Sequence, residues 1–223
     1  MLERAYRWVD DRLDIDPLVK DVVDHPVPEH VNPALHPRAI VYCFGGLTFF
    51  IFCLLIISGI FLTMYYVPTP DHAYDSVQYI TNQLTLGAIV RGIHHWSATG
   101  IVIMVVLHML RVYVQGSYKA PRELNWMVGV GLLLIVMGFG FTGYLLPWDE
   151  KAYWATTVGT KMASQVPVIG DFVLLVLRGG PDLGAVTLAR FFSLHIWFLP
   201  GAALTFLGAH FFMVRRQGIS GPL

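Results

Sequence analysis

The sequence predicts an all-α membrane protein organised as a bundle of four transmembrane helices, and three observations lead there. Of its 223 residues, 55% are hydrophobic and 13% charged, about half the charged share of a soluble domain. The apolar residues gather in four runs, each on the order of the 20 residues that cross a bilayer as a helix. These runs are longer than membrane β-strands and do not alternate in polarity. Fifteen basic and fifteen acidic side chains balance, so there is no positive surplus to meet phosphate, which argues against a nucleic-acid partner.

Residues 1–38 form an N-terminal surface segment. Leu2, Tyr6, Val9, Leu13, Leu18 and Val22 recur at helical spacing with charges between them. This pattern suits a helix lying on the cytoplasmic membrane surface or packed on a partner subunit, ended by Pro26 and Pro28. Residues 39–223 hold the bundle, with spans expected at about 39–67, 87–114, 126–148 and 191–214. Ten of the fifteen Lys and Arg precede span one, join spans two and three, or follow span four. By the positive-inside rule both termini face the cytoplasm or its topological equivalent. The connection over 147–190 is long, punctuated by Gly and Pro, and expected to hold short helices on the outer side.

Histidine inside lipid is costly and marks a task. Span two carries His94, His95 and His108, and span four carries His195 and His210. At about 100° per residue, the 14 steps from His94 to His108 return to within ~40° of one face, while the steps from His95 miss by ~140°. The 15 steps from His195 to His210 return to within ~60°. Spans two and four run in the same direction, so His94 lies level with His195 near the outer face. His108 lies level with His210 near the inner face. Two levels with one His from each helix fit two stacked b haems with bis-His axial ligation. Buried hydrogen-bonded histidines or a proton path are the plainer alternatives.

Spans one and three lack such histidines but carry Gly45 and Gly59, and Gly129 and Gly143, each pair 14 apart. Small residues at that repeat give a macrocycle edge room, although ordinary helix packing also uses them. Arg91 and Arg111 stand one turn outside His94 and His108, where haem propionates would emerge. Snorkelling arginines at helix ends would look the same. Cys43 and Cys53 match no disulfide framework or zinc spacing; a Cys in an apolar helix ordinarily packs as a small hydrophobe, and Cys53 is read that way.

Several strings then carry a resemblance: VYCFGGLT at 41–48, RGIHHW at 91–96, PRELNW at 121–126, GYLLPWD at 143–149, RFFSLH at 190–195 and RQGISGPL at 216–223. Over essentially the whole chain the sequence resembles cytochrome b6, the haem subunit of b6f-type and related Gram-positive quinol:cytochrome c reductase complexes. The 15-residue step in span four and the four-span length match the b6 type. The resemblance implies that Cys43 holds a c-type haem through a single thioether, in a pocket with Tyr42, Gly46, Arg215 and Ile219. It implies electron transfer from an outer quinol-oxidation site through both b haems to the Cys-linked haem and an inner quinone site, coupled to proton translocation. The implied partners are a subunit IV-like protein bearing the Pro-Glu-Trp-Tyr motif absent here, a Rieske Fe–S protein, a cytochrome c-type subunit, membrane lipid and a second copy in a dimeric complex. His95 stands where plant-type b6 has Arg. The long N-terminal segment favours a bacterial plasma membrane and menaquinol over a thylakoid and plastoquinol. A di-haem b anchor of another respiratory dehydrogenase, or a transporter using His, would instead lack the covalent haem or any haem.

Overall fold

The computed structural model describes residues 4, 6, 7 and 44–218. The chain divides into two units, 1–42 and 43–223. The expected surface helix lies outside the described residues, apart from Arg4, Tyr6 and Arg7, which are helical and exposed.

The second unit is all helical over its described residues. Its elements are α1 (Phe44–Thr63), α2 (Ala73–Asn82), α3 (Gly87–Val114), α4 (Glu123–Leu145), α5 (Glu150–Ala163), α6 (Gly170–Arg178), α7 (Ala185–Ser193), a π-helical turn (Leu194–Phe198) and α8 (Leu199–Gln217). Four stretches are long and apolar enough to cross a membrane: α1, α3, α4, and the continuous helix Ala185–Gln217 made of α7, the π turn and α8. These are spans one to four. Serine and threonine are tolerated inside them because their hydroxyls bond back to the preceding turn, as Thr48 does to the Phe44 carbonyl at 2.7 Å.

Several boundaries depart from the apolar runs; span one, for instance, ends at Thr63. Span three starts at Glu123 and stops at Leu145, before Pro147, which has no N–H to give the Gly143 carbonyl four residues back. Span four begins at Ala185, ahead of the expected Phe191, since its first two turns bury Thr187, Leu188 and Phe191 in the outer connection. Helix α2 was not anticipated. It buries Ala73, Ser76, Val77 and Ile80, a one-sided helical stripe too short and too polar to register as a span.

Span one packs chiefly on span two, and span four on span three, so the bundle consists of two helical hairpins. Between them the core forms two clusters. The central one is Phe52, Ile101 and Ala203, flanked by Val136 and Phe139. Phe52 lies midway between Gly45 and Gly59, Ile101 midway between His94 and His108, and Val136 midway between Gly129 and Gly143. The second cluster, Ala73, Leu145, Leu188 and Phe191, seats the outer connection on the span ends.

The outer connection is fixed by polar contacts. Buried Arg178 donates to Thr160 Oγ1 at 2.7 Å, to the Thr157 carbonyl at 2.8 Å and to the Pro181 carbonyl at 2.8 Å. The Tyr66 hydroxyl donates to the Leu146 carbonyl at 2.6 Å, tying the end of span one to the end of span three. Trp148 adopts a left-handed conformation with φ of 52°, after which the Asp149 carboxylate accepts from the Ala152 N–H at 2.8 Å and caps α5. On the opposite side, Gln217 donates to the Pro121 carbonyl and Arg122 to the Gln217 carbonyl, joining the end of span four to the start of span three.

Candidate functional site: two facing histidine pairs

His94 and His195 face each other across the two hairpins with ring centroids 6.4 Å apart. His108 and His210 do the same at 6.4 Å. His95 is exposed with its ring against Trp96 and belongs to neither pair. The levels are named outer and inner here, after the orientation the basic residues favour. At 1.5 Å rise per residue they stand ~21 Å apart along span two.

The equal separation is unexpected for steps of 14 and 15 residues. In a regular α-helix the extra residue would swing His210 about 100° away from the register that span two keeps. The π turn absorbs it: the Leu199 N–H bonds to the Leu194 carbonyl five residues back. Pro200, which has no N–H, removes the bond that would otherwise close on Ile196. The widened turn lies at His195 itself, where such turns tend to serve function.

Each imidazole is backed by one of the four repeating glycines. A Cβ at Gly143 would stand 2.7 Å from His195 Cε1, at Gly45 3.1 Å from His108 Cε1, at Gly59 3.3 Å from His94 Cε1 and at Gly129 3.8 Å from His210 Cε1. The glycines therefore make way for the imidazoles themselves. Other glycines serve helix packing; a Cβ at Gly131 would be 2.5 Å from Phe206 Cε1.

Two hydroxyls that sequence reasoning did not single out hold the outer rings. Ser58 Oγ lies 3.0 Å from His94 Nδ1 and donates to the Leu54 carbonyl at 2.6 Å. Thr142 Oγ1 lies 3.1 Å from His195 Nδ1 and donates to the Gly138 carbonyl at 2.7 Å. A hydroxyl has one proton. With that proton given to the carbonyl, the oxygen accepts from the ring, which assigns the proton to Nδ1. Nε2 is then left with its lone pair, the state a metal ligand requires.

The arrangement fits a haem iron. Bonds of about 2.0 Å to each imidazole nitrogen, with each nitrogen about 1.1 Å from its ring centre, place the centroids of a bis-His iron about 6.2 Å apart. Among the described residues no three His, Cys, Asp or Glu side chains converge on a metal position. The protein thus offers two ligands per level from opposite sides, and the remaining coordination positions suit a planar macrocycle.

Of the other predicted residues, Arg91 and Arg111 are half-buried one turn outside His94 and His108, and Arg215 is half-buried one turn beyond His210. Gly46 is exposed, and a Cβ there would meet nothing within 4 Å. Tyr42, Cys43 and Ile219 lie outside the described residues. Cys53 is a half-buried free thiol. An apolar cleft of about 280 Å³ opens among spans two and three and α5, lined by Val102, Val136, Met137, Gly140, Phe141, Tyr144, Ala155 and Thr156.

Fold and site together define a membrane four-helix bundle with two bis-histidine levels. Comparison with known proteins makes this specific. Residues 22–218 match the family described as Cytochrome b/b6/petB, and the chain belongs to that family. It is 58% identical over 224 residues, covering the whole of both chains, to the menaquinol:cytochrome c reductase cytochrome b subunit of Geobacillus thermodenitrificans. It is 57% identical, again over the whole of both chains, to the protein of the same name from Bacillus subtilis. Cytochrome b6 of Crocosphaera subtropica is 46% identical, over 99% of this chain and 96% of that one. Among solved structures, a chain of a hyperthermophilic respiratory complex III superposes with a TM-score of 0.81 at 30% identity. That match covers 97% of this chain, which spans 56% of the solved chain.

The glycine contacts are graded, and that grading is testable. Gly143→Ala should displace His195 and lower the outer b-haem content of the purified complex, read from the reduced-minus-oxidised spectrum. Gly129→Ala, whose Cβ finds ordinary contact distance, should leave both b haems in place.

Proposed function

We propose that this chain is the cytochrome b subunit of a menaquinol:cytochrome c reductase. It would conduct electrons across the membrane from a quinol-oxidation site on the outer face to a quinone site on the inner face. The observation that carries this is the pair of stacked histidine levels with equal ring separation. The whole-length likeness to two proteins named for that activity supports it.

In this reading His94 and His195 hold one b haem, and His108 and His210 the other. A haem held between each histidine pair would supply one-electron transfer rather than a site for oxygen or substrate. The chain's own residues do the remaining work. The imidazoles fix two acceptor positions at different depths, and the Phe52–Ile101–Ala203 layer keeps the path between them apolar. Arg91 and Arg111 stand at the depth of the propionates, with guanidinium groups suited to carboxylates. The apolar cleft between span three and α5 is where a hydrophobic quinol would approach from the lipid. Quinol oxidation releases its protons outside and quinone reduction takes protons up inside, so electron flow between the levels separates charge. No side chain need act as nucleophile or general acid.

The same reading gives Cys43 a thioether-linked c-type haem, with Tyr42, Gly46, Arg215 and Ile219 around it on the inner side. Support comes from the sequence strings on either side of Cys43 and from the open flank at Gly46. Completing the quinol site calls for a subunit IV-like protein. The onward electron calls for a Rieske Fe–S protein and a cytochrome c-type subunit, in a dimeric complex of the bacterial plasma membrane with both termini cytoplasmic.

His210→Leu should remove one of two b haems and abolish quinol-driven reduction of cytochrome c, while the other b haem remains reducible by dithionite. Normal haem stoichiometry with normal turnover in that variant would refute the ligand assignment. Cys43→Ser should abolish haem staining of the 25.0 kDa band on a denaturing gel and leave both b haems intact. Persistent staining would refute the thioether.

A further inference from the structure

The two histidine levels share their glycines but not their hydroxyls. In span one the outer glycine is preceded by Ser58 and the inner one, Gly45, by Phe44; in span three the outer glycine is preceded by Thr142 and the inner one, Gly129, by Val128. The structure shows the consequence. Both outer Nδ1 atoms meet a hydroxyl, at 3.0 and 3.1 Å. Nδ1 of His108 and Nδ1 of His210 are buried without a hydrogen-bond partner among the described residues. The backbone carbonyls of Leu55, Phe139 and Asn125, each four residues ahead of a repeating glycine, lie near His94, His195 and His210. At His210 the approach falls short of hydrogen-bond geometry.

An acceptor on the far nitrogen of a ligating imidazole raises the ring's basicity. A more basic ligand donates more charge to iron and favours the oxidised over the reduced state; hydrogen bonding around the ligands is one of the levers a protein has on haem potential. Each acceptor hydroxyl is locked in that role because its own proton is held by a helical carbonyl.

We propose that Ser58 and Thr142 are positioning residues that lower the reduction potential of the outer haem relative to the inner one. They would thereby make electron movement from the outer to the inner level downhill. This rests on the b-haem reading proposed above. One electron is lost at the outer level and one gained at the inner. The Nδ1 proton stays between ring and hydroxyl throughout, so no proton transfer is required.

The test is a potentiometric titration of the two b haems in the purified complex, followed optically. Ser58→Ala and Thr142→Val each remove a hydroxyl at little cost in volume. Each should raise the outer haem's potential by about three- to tenfold in the reduction equilibrium, tenfold being about 59 mV for one electron. The inner haem should not move. Ser58→Thr and Thr142→Ser, which keep the hydroxyl, should restore the wild-type value. Val128→Thr, nearly isosteric, should present a hydroxyl toward His210 and lower the inner potential instead. An unmoved or lowered outer potential in Ser58→Ala and Thr142→Val, with both b haems retained, would overturn the proposal. Should those variants lose the outer haem, retention in Ser58→Thr and Thr142→Ser supports it and loss there overturns it. A wild-type complex without b haem would remove the parent reading, and this proposal with it.

Discussion

Two imidazoles can share an iron only when their rings stand a fixed distance apart with a bare nitrogen turned toward each other. In this protein that distance is 6.4 Å at both levels, and much of the bundle can be read as the means of holding it. The glycines at 45, 59 and 143 set how far three of the rings may lean back, because a side chain there would crowd the imidazole, while Gly129 leaves His210 ordinary contact distance. The π turn at Leu194–Phe198 removes the one-residue excess that would rotate one level out of register with the other. At the outer level, hydroxyls with committed protons fix which ring nitrogen is bare. Spacing, backbone and hydrogen bonding thus act on the same variable.

The division of the bundle into two hairpins gives that constraint its mechanical form. The paired histidines come from opposite hairpins at each level, so closing a pair also closes the bundle. Between the levels, Phe52, Ile101 and Ala203 pack as a dry layer. Dispersion and apolar burial hold the hairpins in register, and the low local dielectric would leave any charge between the levels poorly screened. On the outer side, the Arg178 clamp and the Tyr66 to Leu146 hydrogen bond anchor the connection that forms one wall of the apolar cleft.

The four spans were legible because their signal is length and apolarity, which a bilayer demands of any helix. The histidine levels were legible because helical angle alone separates His94 and His108 from His95. What the sequence hid has specific causes. Span three ends at Leu145 because Pro147 sets its limit, and hydropathy alone does not register that limit. The 15-residue step left a residual of ~60° that α-helical geometry cannot close; Pro200 was the signal for the widened turn, but a fixed 3.6-residue period cannot represent it. The glycine repeat was visible, yet what each glycine clears, an imidazole edge, is a tertiary contact. Ser58 and Thr142 pass for ordinary back-bonded residues of apolar helices. Their signal was subtle: each precedes the outer glycine of its span, where the inner glycine follows Phe44 or Val128. Helix α2 was overlooked because its buried stripe is only four residues long.

The central claim is that two b haems sit between His94 and His195 and between His108 and His210, each ligated by imidazole on both faces. Electron paramagnetic resonance of the oxidised complex, with b haem quantified per chain, tests it most directly. The account predicts two b haems per chain, both low-spin ferric. Because the facing rings are inclined at 66° and 82°, both should show the strongly anisotropic signal of crossed imidazole planes. A single b haem per chain, or a predominantly high-spin signal from iron with an open axial position, would contradict it.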